Sequence, residues 1–303
     1  VTQIQWLPGN HRIQATSGSR KTLSARVNLL LASATMSTQN VTTVATSYKL
    51  SFTGTGTVTL SGTSTAGPLV GTGASVRVSL TFTPTAGTLT LTVSGSVTLA
   101  DLRTADDAAK AIPAYQRVNT ASDYDTDGFP HYWLYDGTDD SDATASTVDG
   151  SASSKVTVIA GIAKLSDAAA ACVIEHTATS ASNDGSFILS APTAAAVYQW
   201  RSKGTALSDA ATAASYPAPH SGVLTGVGDI ANDTSALRIG GAQVATAATD
   251  QGTGTYANAT TYFGRRGASS LPFNGREYAI IERFGPMSDS ERNQAERWEI
   301  GRA

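Results

Sequence analysis

The run Asp123-Tyr-Asp125-Thr-Asp127-Gly128 sets three carboxylates at alternate positions ahead of a glycine. Calcium loops open this way, because alternate carboxylates converge on one hard cation and glycine permits the sharp turn. The pattern then departs from such a loop: its twelfth position is Leu134, where a bidentate Glu is needed. Two readings stand side by side, a calcium ion held by Asp123, Asp125 and Asp127, or a solvated acidic linker. A second acidic run, Asp136-Gly-Thr-Asp139-Asp140-Ser-Asp142, is sufficiently explained as an Asp-Gly turn.

Other reactive residue types lack the spacing that chemistry needs. His11, His131, His176 and His220 have no His-x-x-x-His or Cys-x-x-Cys partner, so no zinc site is legible. The Gly-x-Ser-x-Gly pattern of a nucleophile elbow is absent. Cys172 stands in the apolar run 168–174, which favours a buried, inert thiol and leaves no partner for an intrachain disulfide. A glycosidase would need two carboxylates about 5–10 Å apart in a cleft. Glu175, Glu277 and Glu282 fall on predicted strands, but no motif selects a pair, and no catalytic residue is assigned. Tyr198, Trp200 and Tyr216 are the aromatic candidates for a sugar platform, since flat apolar rings suit sugar C–H faces. At alternating strand positions, however, residues such as Tyr198 and Trp200 more often belong to the core or a strand face.

Composition narrows the classes that these residues can serve. The 303 residues suggest two domains at about 150 each. Only 15% are charged, below the roughly 25% usual for soluble domains, and Ser, Thr and Gly supply the polarity instead. A net charge of -3 with no basic stripe argues against nucleic acid as a partner. The longest apolar stretches, 27–34 and 156–163, fall short of the roughly 20 residues that span a bilayer, so no membrane insertion is expected.

The elements that must position these residues read as strands. Between residues 27 and 116, phrases such as Thr57-Val-Thr-Leu-Ser and Thr88-Leu-Thr-Leu-Thr-Val alternate apolar and hydroxyl residues with period two. Turn signals at Gly54-Thr-Gly56, Gly67-Pro68 and Ser94-Gly95 separate them, which predicts a small antiparallel sandwich. A helical turn is expected within 101–113. From Phe129 onward nine or ten strands are predicted, and Val156-Thr-Val-Ile-Ala-Gly-Ile is apolar enough for a central strand buried on both faces. Ser288 and Glu291 form a capping box, and Ala295, Trp298 and Arg302 recur at helical spacing. A closing helix should therefore pack by a narrow apolar stripe. The fold class expected is all-β: two antiparallel sandwiches with a short C-terminal helix.

Three later phrases carry a resemblance: Tyr132-Trp-Leu-Tyr135-Asp136-Gly137, Leu237-Arg-Ile-Gly240-Gly-Ala-Gln-Val, and Phe263-Gly264-Arg-Arg followed by Pro272-Phe273-Asn274-Gly275. In this order they resemble the laminin-G-like, concanavalin-type jelly rolls. Gly9-Asn10-His11-Arg12-Ile-Gln14 resembles the lead-in of such domains in tailed phages. Arg26-Val27-Asn28-Leu29-Leu30 and Pro113-Ala-Tyr115-Gln116-Arg117-Val118 resemble the ends of a carbohydrate-binding-module-like domain of phage virion proteins. The resemblance implies a lead-in at 1–26 belonging to the jelly roll, an inserted sandwich at 27–116 and the jelly roll proper at 117–303. It implies a non-enzymatic structural and adhesive protein of the extracellular virion: tail fibre, tail tip or head decoration. The partners it implies are other virion proteins, further copies of the chain with a trimer favoured, and a host glycan. The competing readings are a secreted bacterial lectin and a polysaccharide-degrading enzyme.

Overall fold

In a computed structural model, residues 12–14, 16–193, 196–211 and 214–300 are described. His11, Arg302 and the start of the lead-in lie outside them. The chain divides into two compact units, one of residues up to Leu23 with those from Tyr132 onward, the other from Ser24 to His131.

The smaller unit is a sandwich of two antiparallel sheets. One carries Gln39–Thr43, Gly87–Ser94, Thr57–Gly62 and Leu69–Val70 in that order; the other carries Gly73–Phe82, Tyr48–Gly54 and Val97–Thr104. The period-two pattern does the sorting: Leu50, Phe52, Leu89, Leu91 and Leu102 are fully buried, while intervening threonines face outward. The expected helical turn is Ala105–Ala109, capped by Thr104, whose side chain accepts from the Asp107 amide at 3.1 Å.

The unit is wider than 27–116 because its flanks are clasped. The Asn28 amide gives hydrogen bonds to the Ala100 and Gln116 carbonyls (both 2.9 Å), and its oxygen takes them from Leu30 and Leu102. Gln116 takes the Val27 and Asn28 amides and gives to the Ala25 and Asp125 carbonyls. Both side chains are fully buried and use every donor and acceptor they have. Ala25, Val27 and Phe129 then pack together as a satellite core.

The larger unit is a jelly-roll sandwich of two seven-stranded sheets. The first orders Arg12–Ile13, Asp142–Thr144, Thr261–Phe263, Cys172–His176, Ser186–Ser190, Gln199–Lys203 and Leu207–Ala211. The second orders Thr22–Ser24, Tyr132–Asp136, Asn274–Phe284, Lys155–Lys164, His220–Asp229, Thr234–Ile239 and Ala242–Ala247. Lys155–Lys164, the apolar run of the sequence, lies between Asn274–Phe284 and His220–Asp229 and is buried from Val156 onward.

The closing helix is Asp289–Ile300. Its capping box is made: the Ser288 amide donates to the Glu291 carboxylate (2.8 Å), and the Glu291 amide donates to Ser288 Oγ (3.2 Å). The Ser288 amide and hydroxyl, both donating to it, hold the Glu291 carboxyl down at about 2. The largest ring of the expected apolar stripe, however, is not buried. Trp298 is 47% exposed, whereas Glu296 is buried and takes two bonds from Arg238 at 2.8 and 3.1 Å.

Candidate functional site

The three sequence-selected aspartates do not converge. Asp123–Tyr124 pairs with Val118–Thr120 in a two-stranded hairpin, and period two turns Asp123 and Asp125 toward one neighbour, Arg117. The guanidinium lies 3.4 Å from Asp123 and 3.0 Å from Asp125, while Asp127 is exposed. The carboxylates that do gather among the described residues are Asp136, Asp139 and Asp140, whose oxygens lie within 4.8 Å of one another. This donor set suits a hard cation such as calcium. Each carboxylate already has a partner: within the turn Asp136 takes the Thr138 amide (2.7 Å) and Asp140 the Asp136 amide (2.9 Å), and Asp139 takes the hydroxyl of Ser19 from the lead-in (2.9 Å). The turn and its contact with the lead-in account for them.

Two of the three aromatic candidates are placed inward. Tyr198 and Trp200 are both fully buried in the main core, so neither ring face is open to a sugar. Trp200 lies flat against the second sheet because Gly226 makes room; a Cβ there would stand 2.0 Å from the indole. Tyr216 is half-buried and packs on Tyr198 and His220, with ring centroids at 5.3 and 5.0 Å. Cys172 is buried and burial pushes its thiol well up, an inert environment.

A groove that the sequence reading did not single out lies where the edge strands of the two large sheets meet. Arg12, Ile13, Gln14 and Asp142 line it from the first sheet's side, Trp133 from the second, and Arg20 and Lys21 from the connecting segment. Its volume is about 280 Å³. Trp133 is 36% exposed and Lys21 Nζ stands 4.8 Å over its ring. The floor is ionic: Arg12 bonds Glu277 and lies 3.7 Å from Asp142, Lys21 bonds Asp142, and the Tyr135 hydroxyl donates to Glu277 at 3.1 Å. Arg12 also lies 3.6 Å over the Phe263 ring. Burial and the neighbouring Arg12 lower the Lys21 ammonium; burial raises the Asp142 carboxyl against the pull of Lys21.

Those pairs use up Arg12 and Lys21. Arg20 is exposed, donates to the Gln14 carbonyl at 3.1 Å, and among the described residues meets no carboxylate. The groove thus presents an indole face and a guanidinium with donors to spare, over a floor that is already neutral. Trp133 was visible in the sequence as part of the Tyr132-Trp-Leu-Tyr135 strand. Its partners come from the lead-in, more than a hundred residues earlier, and no local pattern links them.

Of the three glutamates, Glu277 belongs to that floor. Glu175 is buried, takes the Ser180 amide at 2.7 Å and is held by Arg266 at 3.2 Å. Glu282 reaches Thr261 Oγ1 (3.2 Å) and lies 3.7 Å from His176 Nδ1, and burial pushes its carboxyl up to about 7.

These features define a class, a two-sheet antiparallel jelly-roll sandwich with a second, smaller sandwich between two of its strands. No protein-family profile matches the chain, and no curated protein does. Solved structures resemble parts of it. A heptameric SAP-like pentraxin from Limulus polyphemus aligns at 12% identity and a TM-score of 0.42, over 52% of this chain and 76% of its own. The CBM40 domain of a Ruminococcus gnavus IT-sialidase, solved with alpha2,3 sialyllactose, aligns at 19% and 0.37, over 47% and 82%. The receptor binding domain of a botulinum neurotoxin C/D mosaic serotype aligns at 11% and 0.44, over 56% and 43%.

Proposed function

We propose that the chain is a non-enzymatic structural and adhesive protein of a tailed-bacteriophage virion, in a tail fibre, tail tip or head decoration, and that its edge groove touches host-surface glycan. The observation that carries the adhesive role is the meeting of the part-exposed Trp133 indole with Arg20 above an ion-paired floor. An indole face takes the C–H side of a sugar ring, and a guanidinium with unused N–H groups donates to its hydroxyls or to a carboxylate. The virion role is supported by the lead-in and domain-end phrases of the sequence. On this reading the partners are other virion proteins and further copies of the chain, with a trimer the favoured state. The non-enzymatic part is supported by Glu175 and Glu277, each spent on an arginine.

Immobilised glycans test the groove directly. Trp133→Ala should weaken binding about tenfold, roughly 1.4 kcal/mol, and Arg20→Gln by a similar factor. Binding unchanged in both variants overturns the assignment of the groove. Imaging of a native particle that carries this chain at a symmetric position supports the virion role, and a particle lacking it overturns that role.

A further inference from the structure

The smaller sandwich holds a pocket of its own, of about 330 Å³, on the outward face of its three-stranded sheet. Cross-strand register builds it: Lys49 lies opposite Arg103, and Ser51 lies opposite both Ser79 and Asp101. Ala108, Ile112 and Ala114, from the helical turn and the segment after it, wall one side. This volume falls at the lower end of ligand pockets, roughly 300–1,000 Å³, and is on the scale of one sugar-sized ring.

Its charges do not balance. Asp101, 1% exposed, is fully engaged at the floor: Arg103 Nε donates to it at 2.6 Å, the second Arg103 nitrogen bonds it too, and the Gln116 amide donates at 2.9 Å. The Arg103–Asp101 pair is therefore neutral, and Asp107 is turned to Lys110 at 3.3 Å. Two further cations face the same space. Arg77 gives its hydrogen bonds to neutral groups, Ser51 Oγ and the Leu99 carbonyl, both at 2.8 Å. Lys49 is exposed, and among the described residues neither it nor Arg77 forms an ion pair.

The backbone is shaped to hold Arg77 there. The ladder between Tyr48–Gly54 and Val97–Thr104 breaks register between Ser51 and Thr53, and Leu99 takes the left-handed conformation at φ 48°. Bulges re-aim groups at the cost of local strain, and this one presents the Leu99 carbonyl to the guanidinium. Tyr115 supports Arg77 from one side, its ring centre 5.6 Å away.

We propose that this pocket binds an oxyanion, a carboxylate or sulfate borne on a ligand of single-ring size, with Arg77 and Lys49 holding the charge and Ser51 and Ser79 meeting its polar oxygens. This site is independent of the jelly-roll groove. The test is titration of the isotopically labelled full chain, followed by amide shifts, with D-glucuronate, D-glucose and inorganic sulfate in separate arms. Glucuronate or sulfate should shift the amides of residues 49, 51, 77 and 79 saturably, and glucose should not. Response to glucuronate alone assigns the carboxylate source, and response to sulfate assigns the sulfate source.

Arg77→Gln and Lys49→Gln should each weaken binding about tenfold, with Arg77→Lys recovering part of the loss. Lys49 is exposed, so its variant reports on binding rather than folding. Trp133→Ala should leave these shifts unchanged, which separates this site from the groove. Absence of saturable shifts up to the order of 10 mM, or shifts insensitive to both glutamine variants, or equal response to glucose, overturns the proposal.

Discussion

At the scale of single residues, the interior near Glu282 is a hydrogen-bond chain whose proton count can be deduced. His176 Nε2 lies 2.9 Å from the Ala257 carbonyl, so that nitrogen carries the hydrogen; in the neutral ring that burial favours, Nδ1 accepts from Thr261 Oγ1 at 3.0 Å. The single Thr261 hydrogen is then spent, and Glu282 completes the chain only by donating its own. A protonated Glu282 satisfies every member; burial acts in the same direction on both ends, lowering the His176 imidazolium and raising the Glu282 carboxyl. An acid whose folded pKa of about 7 exceeds its ordinary 4.5 is bound to its proton in the fold after the unfolded chain has lost it. This group's contribution to stability is therefore full below pH 4.5 and is lost as pH rises through 7, by about 3 kcal/mol at most. Glu282→Gln should flatten this dependence and raise the unfolding midpoint at pH 8 while changing little at pH 5. A midpoint that falls at pH 8 contradicts the protonated assignment. Glu282 could be noticed in the sequence as a strand glutamate, but its partners come from two other strands whose adjacency no local pattern encodes.

Elements were far more legible. Period-two alternation located the strands of the small sandwich, an unbroken apolar run located Lys155–Lys164, and Ser288 with Glu291 located the final helix. Edge strands escaped because they are short or built of small residues, as in Arg12–Ile13, Leu207–Ala211 and Ala242–Ala247. The clasp by Asn28 and Gln116 was foreshadowed only as two phrases marking the ends of a domain. Its energetics are testable. Asn28→Ala strands two amides and two carbonyls in a dry site, at about 1–3 kcal/mol for each group that finds no new partner. Hydrogen exchange should show a loss of at least ~3 kcal/mol confined to amides of the 24–131 unit, with protection in Lys155–Lys164 retained. Uniform loss across both units would contradict an independent small core.

For the whole molecule, low charge and abundant hydroxyl residues give two stacked-sheet units with separate apolar cores. Long-range placement decides what is exposed. Tyr198 and Trp200 fill the core, Trp200 against Gly226, while Trp133 stays part-open with the ion-paired Lys21 over its ring. Tyr198 and Trp200 take the core positions that their strand alternation favoured: alternation says which residues share a face, and only the packed sheets say which face is dry. The same packing directs the interior glutamates to arginines or to a hydroxyl–imidazole chain, and leaves the groove lined by the part-exposed Trp133 and the exposed Arg20.

Saturation-transfer NMR on a surface oligosaccharide mixed with the full chain, followed over hours, reads holding and cleavage in one experiment. Transfer to sugar protons that Trp133→Ala abolishes, with the anomeric signals constant in time, is the expected result. New reducing-end anomeric signals, or transfer that persists in the variant, would contradict it.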